Sequence, residues 1–219
     1  MNTKRALAAL AITLTLLGAR TMSQTKENKP PDPSTAAAQT EWVLSASAYT
    51  YAVPHAQVYV NPNFTADRGR LHLEARYNYE SLETGSLWLG YNLSLGEKVV
   101  FELTPMVGGV FGRVNGIAPG YLAALTYKKL DISTQGEFLI STGDREDSFF
   151  YTWSELGYSP VGWFRGGLVV QRTKVYNEAF DIQRGLMAGF SYKKVDFVTY
   201  VFNLEKSEQT VVTAVVWNF

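Results

Sequence analysis

Polar and apolar residues alternate with a period of two along most of this chain. The clearest segment is 70–80, where even positions are polar or charged and odd positions are leucine, alanine or tyrosine. Because the side chains of a strand point alternately to its two faces, this pattern predicts a strand with one polar and one apolar face. Similar alternation recurs over 84–95, 98–110 and 130–141, and no segment keeps the helical period of about 3.6 residues.

The alternating segments are about 9 to 12 residues long, which is the length that a tilted transmembrane strand needs. Short and long connections tend to alternate between them, as in barrels with short periplasmic turns and longer outer loops. If 54–69 is instead one outer loop, as Pro62 suggests, ten strands remain. We predict twelve strands, at 41–53, 56–66, 70–80, 84–95, 98–110, 118–129, 130–141, 147–158, 161–173, 181–192, 194–204 and 208–219.

The first forty residues have a different composition from the rest. A basic start, with Lys4 and Arg5, is followed by an apolar run over 6–19. This is the pattern of a secretory signal peptide, and the run is shorter than the roughly 20 residues of a membrane-spanning helix. We therefore predict a signal peptide over 1–23 and, from its polar and proline-rich composition, a disordered periplasmic leader over 24–40. The barrel then occupies 41–219.

The last strand alternates in a distinctive way, with Val215, Trp217 and Phe219 on one face. This resembles the C-terminal assembly signal of bacterial outer-membrane β-barrel proteins, whose final strand ends on phenylalanine behind alternating apolar residues. The resemblance implies an all-β fold, a closed antiparallel up-and-down transmembrane β-barrel located in the cell outer membrane. It also implies that the barrel-assembly machinery is a partner during insertion. Size and strand count are similar to those of small monomeric porins for oligosaccharides or nucleosides, at the level of architecture.

Composition narrows the functional classes. Lysine plus arginine and aspartate plus glutamate both number 20, without a basic cluster, so nucleic acid is not an expected partner. The absence of cysteine excludes disulfides and a lipoprotein anchor. Neither His55 nor His72 lies in a catalytic or metal-binding motif, so we expect no catalytic residue, no metal and no cofactor. An outer-leaflet lipid-modifying enzyme stays as a lesser alternative.

The residues on the polar face of the strands indicate whether the lumen is an open channel or is closed by its own side chains. Mixed charges in a narrow lumen pair with one another, which describes either a closed structural barrel or a narrow polar channel for small hydrophilic solutes. Inward Gly90, Gly108 and Ala124 leave room and favour the channel. A soluble periplasmic lipid carrier, with the two faces exchanged, is a third class. The predicted lumen-lining residues are Arg70, His72, Glu74, Arg76, Glu80, Glu102, Lys128, Asp131, Glu137 and Arg165.

Three basic residues flank the predicted outer loop between strands nine and ten. The phase of the alternation puts Arg172 and Arg184 on the lipid face at the outer end, with Lys174 nearby. Arginine is suited to bidentate phosphate contacts, so we expect these residues to face outer-membrane lipid and lipopolysaccharide. Simple snorkelling to water is the alternative. A closed barrel has no free edge, so a monomer is expected.

The aromatic pair Trp217 and Phe219 yields a direct test. Phe219→Asp is expected to block insertion into the outer membrane without blocking export, because the aromatic face acts as assembly signal and interface anchor. The measurement is the outer-membrane amount of the protein and its heat-modifiable migration on gels. Wild-type accumulation of the variant with normal migration would contradict the assignment.

Overall fold

The computed structural model describes residues 41–176 and 178–219, so the predicted signal peptide and leader lie outside the described residues. The elements are β1 (Val43–Ala52), β2 (Tyr59–Arg68), β3 (Leu71–Tyr77), β4 (Thr84–Tyr91), β5 (Leu93–Leu95), β6 (Val99–Gly112), β7 (Gly116–Tyr127), β8 (Leu130–Ser141), a 3-10 turn (Arg145–Asp147), β9 (Phe149–Val161), β10 (Phe164–Val175), β11 (Asp181–Tyr192), β12 (Val195–Phe202) and β13 (Thr210–Asn218). Within the described ranges, no helix is long and apolar enough to cross a membrane.

The strands form one closed antiparallel sheet. Apart from β4 and β5, which both pair with β6, each strand pairs with its neighbours in sequence. β13 returns to pair with β1, from Ser45 opposite Asn218 to Ala52 opposite Val211. Short β5 continues β4 along β6 in the same register, so the thirteen segments fill twelve positions around the barrel. This confirms the twelve-strand prediction, and the ten-strand alternative is wrong.

Proline 62 is accommodated inside β2 because of where the ladders run. It lies opposite Ala48 of β1, whereas the ladder between β2 and β3 begins one residue later, at Asn63. A proline lacks the N–H that a strand donates to its neighbour, so it fits where one of the two ladders has stopped. Pro160 likewise lies within β9 beside a register shift opposite Phe164 and Gly166, and the predicted turn at 159–160 is displaced to 162–163.

Exposed and buried residues are inverted relative to a water-soluble protein. Leu71, Leu73, Leu87 and Leu89 are exposed by 37 to 60%, whereas the alternate residues of β3 and β4 are largely buried. An apolar outer face with polar residues inside is the arrangement of a transmembrane barrel. A soluble lipid carrier requires the opposite arrangement, so that alternative is wrong.

Two turns repeat the same local structure at one end of the barrel. Lys128 and Lys193 begin two-residue turns with positive φ angles of 55° and 56°. The ammonium group of Lys128 lies 5.2 Å from the ring centre of the preceding Tyr127, and that of Lys193 lies 5.3 Å from the ring of Tyr192. Both tyrosines are exposed, and each lysine thus extends over an interfacial ring towards water.

Neighbouring side chains, chiefly the ring of Trp88, fill the space beside three inward glycines. A Cβ atom on Gly108 would come within 2.5 Å of the Trp88 ring, and one on Gly120 within 3.0 Å. A Cβ on Gly90 would meet Thr104 at 2.9 Å. The prediction that inward glycines leave room for a pore is therefore wrong at Gly90 and Gly108, since neighbouring side chains fill that space.

A pair of adjacent glycines tests this packing. Gly108→Ala is expected to destabilise the barrel by about 1–3 kcal/mol, because the added methyl overlaps the Trp88 ring in a packed interior. Gly109→Ala is the matched control, since its Cβ would meet nothing within 4 Å. Urea unfolding of the detergent-solubilised proteins measures both, and equal stability of the two variants would contradict the packing argument.

Candidate functional site

Arg76 of β3 is the centre of a charged cluster inside the barrel. Its Nε lies 2.8 Å from Oε1 of Glu74 on the same strand, and its Nη1 donates to Oε2 of Glu137 on β8 at 2.9 Å. Its guanidinium carbon lies 4.3 Å from the ring centres of both Tyr79 and Trp88. Since β4, β6 and β7 separate β3 from β8 in the sheet, the contact with Glu137 spans the lumen.

His72 extends this cluster along β3. Its Nδ1 lies 2.9 Å from Oδ1 of Asp67, and its Nε2 lies 3.5 Å from Oε2 of Glu74. The same Asp67 oxygen accepts a hydrogen bond from Nδ2 of Asn92, the residue between β4 and β5. Thr104 of β6 in turn donates to Oδ1 of Asn92 at 2.7 Å. A continuous polar network thus links β2, β3, the β4–β5 junction and β6.

Glu80 joins the cluster from the loop after β3. Its Oε1 accepts a hydrogen bond from Ser86 at 2.5 Å, and Nε1 of Trp88 donates to the Ser86 oxygen at 2.9 Å. Tyr79, the preceding residue, meets the ring of Tyr151 edge-on at 6.1 Å. Glu80, Tyr79 and Tyr151 are each at most 1% exposed, so these groups form a closely packed layer.

A second cluster is centred on Arg165 of β10. It pairs with Asp131 of β8 and, through Nη1, with Oε2 of Glu155 at 2.7 Å. The other Glu155 oxygen accepts hydrogen bonds from Nε1 of Trp153 at 2.8 Å and from the hydroxyl of Tyr200 at 2.9 Å. Both Glu155 oxygens therefore have partners, as expected of a buried carboxylate.

Eight of the ten predicted lumen residues fall into three groups. His72, Glu74, Arg76, Glu80 and Glu137 come together in the first cluster. Asp131 and Arg165 lie in the second cluster, within the barrel. Glu102 is half-buried on the same phase of β6 as Thr104.

The positions predicted for Arg70 and Lys128 are wrong. Arg70 is exposed in the turn between β2 and β3, where its Nη1 donates to the hydroxyl of outward-facing Tyr91 at 2.6 Å. Lys128 is exposed in the turn after β7, over Tyr127. Strand alternation ends at a turn, so counting phase through these two-residue connections gives the wrong face.

Sequence reasoning missed several residues of the two clusters. The predicted lumen residues do not include Asp67, Glu155, Trp153, Tyr151 or Tyr200. The signal was present for β9, because Tyr151, Trp153 and Glu155 alternate with outward-pointing residues. Asp67 lies one residue before the end of β2 at Arg68, beyond residue 66, at which the predicted strand ends.

The buried interior carries an excess of acid. Among the described residues the buried side chains include seven carboxylates, namely Asp67, Glu74, Glu80, Asp131, Glu137, Glu155 and Asp196, against two arginines and one histidine. Some buried polar atoms also have no hydrogen-bond partner within the described protein. They include both side-chain polar atoms of Gln135 and Asn63, the hydroxyls of Ser47 and Tyr151, and one oxygen each of Glu80 and Glu137.

Residues predicted for lipid contact and assembly lie on the outer surface. Arg172, Lys174 and Arg184 are exposed near the β10–β11 connection, and Lys174 stacks over Phe180 at 5.3 Å. Trp217 and Phe219 are exposed by 55 and 58% and stack at 5.8 Å, and Val215 is 40% exposed on the same face.

Two loops at the opposite end from Trp217 are tied together by an exposed contact. The Nε2 of His55, after β1, lies 2.8 Å from Oε1 of Glu208, before β13. This hydrogen bond raises the pKa of His55 above its ordinary value. The pair is open to solvent, so we assign it no weight in stability.

The fold is that of outer-membrane porins. It superposes on a KdgM porin with a TM-score of 0.56 and 11% identity, covering 80% of this chain and 99% of the porin. A KdgM porin in complex with disordered oligogalacturonate gives 0.54 and 9%, covering 80% and 99%. The NanC porin gives 0.55 and 10%, covering 80% and 98%. No protein-family model and no curated protein matches the sequence. The expected resemblance to outer-membrane β-barrels is thus confirmed at the level of fold.

Proposed function

We propose that this protein is a narrow polar channel for small hydrophilic solutes in a bacterial outer membrane. The observation that carries the proposal is the set of buried, inward polar atoms that have no hydrogen-bond partner among the described residues, such as both amide atoms of Gln135 and of Asn63. Buried polar groups in proteins are almost always hydrogen-bonded. An interior that served only as a structural plug would pair these groups, whereas a conduction path leaves them for water and solutes.

The constriction of this channel is the Arg76 cluster. The hydrogen bond between Arg76 and Glu137 crosses the lumen. Tyr79 and Tyr151, which are 1% and 0% exposed, narrow the lumen at the same height. A twelve-strand barrel lies between eight strands, which side chains fill, and sixteen, which leave a wide aqueous channel. Such a lumen passes small solutes one at a time and needs movement of the constriction side chains.

The acidic interior argues against carrying over the ligand of one similar structure. Oligogalacturonate is a polyanion, and an interior with seven buried carboxylates against two arginines and one histidine repels anions. Neutral or cationic hydrophilic solutes are more compatible with this acidic lumen, because it does not repel them.

Conductance in planar bilayers tests the channel. Wild-type protein is expected to conduct, and Arg76→Ala to raise single-channel conductance and increase preference for cations, because it removes the bridge and one positive charge. Arg172→Ala is the matched control, since it removes the same charge from the outer face and leaves the current unchanged. Silent bilayers for both the wild type and the Arg76 variant would establish the closed structural barrel instead.

We also propose that Arg172 and Arg184 bind the phosphates of lipopolysaccharide. Val170 faces Arg184 and Arg172 faces Ile182 across the ladder of β10 and β11, so the two arginines are diagonal neighbours on one face. Among the described carboxylates none forms an ion pair with either arginine. A charge on the lipid face of a barrel is tolerated near the interface, where anionic headgroups lie.

Paired replacements test this lipid site. The double variant Arg172→Gln, Arg184→Gln is expected to lose lipid A on purification and to lose stability in lipopolysaccharide-containing bilayers only. Arg113→Gln with Arg145→Gln removes two exposed charges from other loops at this end and is the control. Equal behaviour of the site variant in lipopolysaccharide and plain phospholipid bilayers would leave only snorkelling to water.

A further inference from the structure

The level of the constriction contains three oxygen atoms that accept no hydrogen bond from any described group. They are Oε2 of Glu80, Oε1 of Glu137 and the hydroxyl of Tyr151, on side chains that are 1, 3 and 0% exposed. Each of the two carboxylates uses its other oxygen, in bonds to Ser86 and Arg76 respectively. Each therefore keeps one oxygen for a further partner.

These three groups belong to one place in the barrel. Glu137 and Tyr151 are direct partners across the ladder of β8 and β9. Tyr151 meets Tyr79 edge-on, and Glu80 follows Tyr79 in the chain. Arg76 donates to Glu137 at 2.9 Å and its guanidinium lies 4.3 Å from the ring centre of Tyr79, so Glu137 and the Tyr79–Glu80 segment surround the same guanidinium group. Tyr151 is not an acidic residue, yet its buried hydroxyl also has no hydrogen-bond partner among the described residues. It is therefore a second, separate indication that a ligand binds beside the two carboxylates.

The charge of this cluster is not balanced from within. Asp67, Glu74, Glu80 and Glu137 supply four carboxylates, against the guanidinium of Arg76 and the imidazole of His72. Buried charges persist when they are paired, so the cluster favours an additional cation.

The lining identifies the kind of cation. An alkylammonium group has three N–H donors, which match three free acceptor oxygens. The faces of aromatic rings attract cations. The guanidinium of Arg76 already makes this contact here, at 4.3 Å from the ring centres of Tyr79 and Trp88. A calcium ion requires six to eight oxygen ligands and magnesium near-ideal octahedral coordination, which two single carboxylate oxygens and one phenol do not supply.

We propose that Glu80, Glu137 and Tyr151 form a binding site for the primary ammonium group of small organic cations at the channel constriction. This inference rests on the proposed channel function and names its preferred solute class. The ammonium group donates to the three free oxygens, and its alkyl portion lies against the rings of Tyr79 and Tyr151.

Two independent measurements test the site, with ethylammonium chloride as the probe and sodium propionate as the anionic control. In detergent, ethylammonium is expected to raise the unfolding temperature of the full barrel above that in equal sodium chloride, because a ligand of the folded state stabilises it. Propionate is expected to have no such effect. In bilayers, ethylammonium is expected to reduce the potassium current.

Isosteric variants assign the effect to residues. Glu80→Gln and Glu137→Gln are each expected to weaken the ethylammonium effect by roughly tenfold in concentration, the loss carried by one charged hydrogen bond. Glu155→Gln is the matched control, because it removes the same charge from a lumen carboxylate whose two oxygens already have partners. Its response to ethylammonium is expected to equal that of the wild type.

The outcomes separate the site from the channel. Silent bilayers together with a Glu80-dependent rise in unfolding temperature would support the site and overturn the channel. Conduction without any effect of ethylammonium on current or unfolding temperature would overturn the site alone. Equal losses in the Glu80, Glu137 and Glu155 variants would also overturn it, since general lumen charge would then explain the response.

Discussion

Closure of the sheet is the constraint on which the rest of this structure depends. Hydrocarbon offers no hydrogen bonds, so a strand in a membrane must pair on both sides, and only a closed barrel allows this for every strand. The ladder between β1 and β13 completes that pairing. Once the sheet is closed, strand alternation assigns each residue to lipid or lumen, and the exposed leucines and buried charges follow from that assignment.

The charged interior is the energetic consequence of that assignment. Taking ions out of water costs several kcal/mol each, and a buried pair recovers this only with good geometry and further hydrogen bonds. Arg165 meets the requirement through Asp131 and Glu155, whose remaining oxygen is held by Trp153 and Tyr200. The Arg76 cluster meets it incompletely, since one oxygen each of Glu80 and Glu137 has no hydrogen-bond partner among the described residues. The Arg165 cluster therefore serves to stabilise the barrel, whereas the Arg76 cluster can still accept hydrogen bonds from a ligand.

The sequence was sufficient to predict the barrel, its strand number and the inward face of most strands, because all three follow from the period-two pattern. It failed at Arg70 and Lys128, where two-residue turns interrupt the alternation. It also gave no indication that Arg76 meets Glu137, which lies 61 residues away along the chain. Contacts across the lumen depend on strand tilt and stagger around the barrel, and no local pattern encodes them. The packing of Trp88 against Gly108 cannot be predicted from the sequence for the same reason, because it depends on how neighbouring strands are staggered.

The seam between β1 and β13 also sets the order of folding. It joins residues from opposite ends of the described chain, so the entropy of closing the intervening loop is lost before any seam hydrogen bond forms. Until β13 is in place, β1 presents an unpaired edge that is open to other chains. Hairpins such as β7–β8 and β11–β12, with two-residue turns, form from local contacts and precede the seam. We therefore expect the meeting of the two edges to be the slow step of folding, and the open sheet to be the state that must be protected from aggregation.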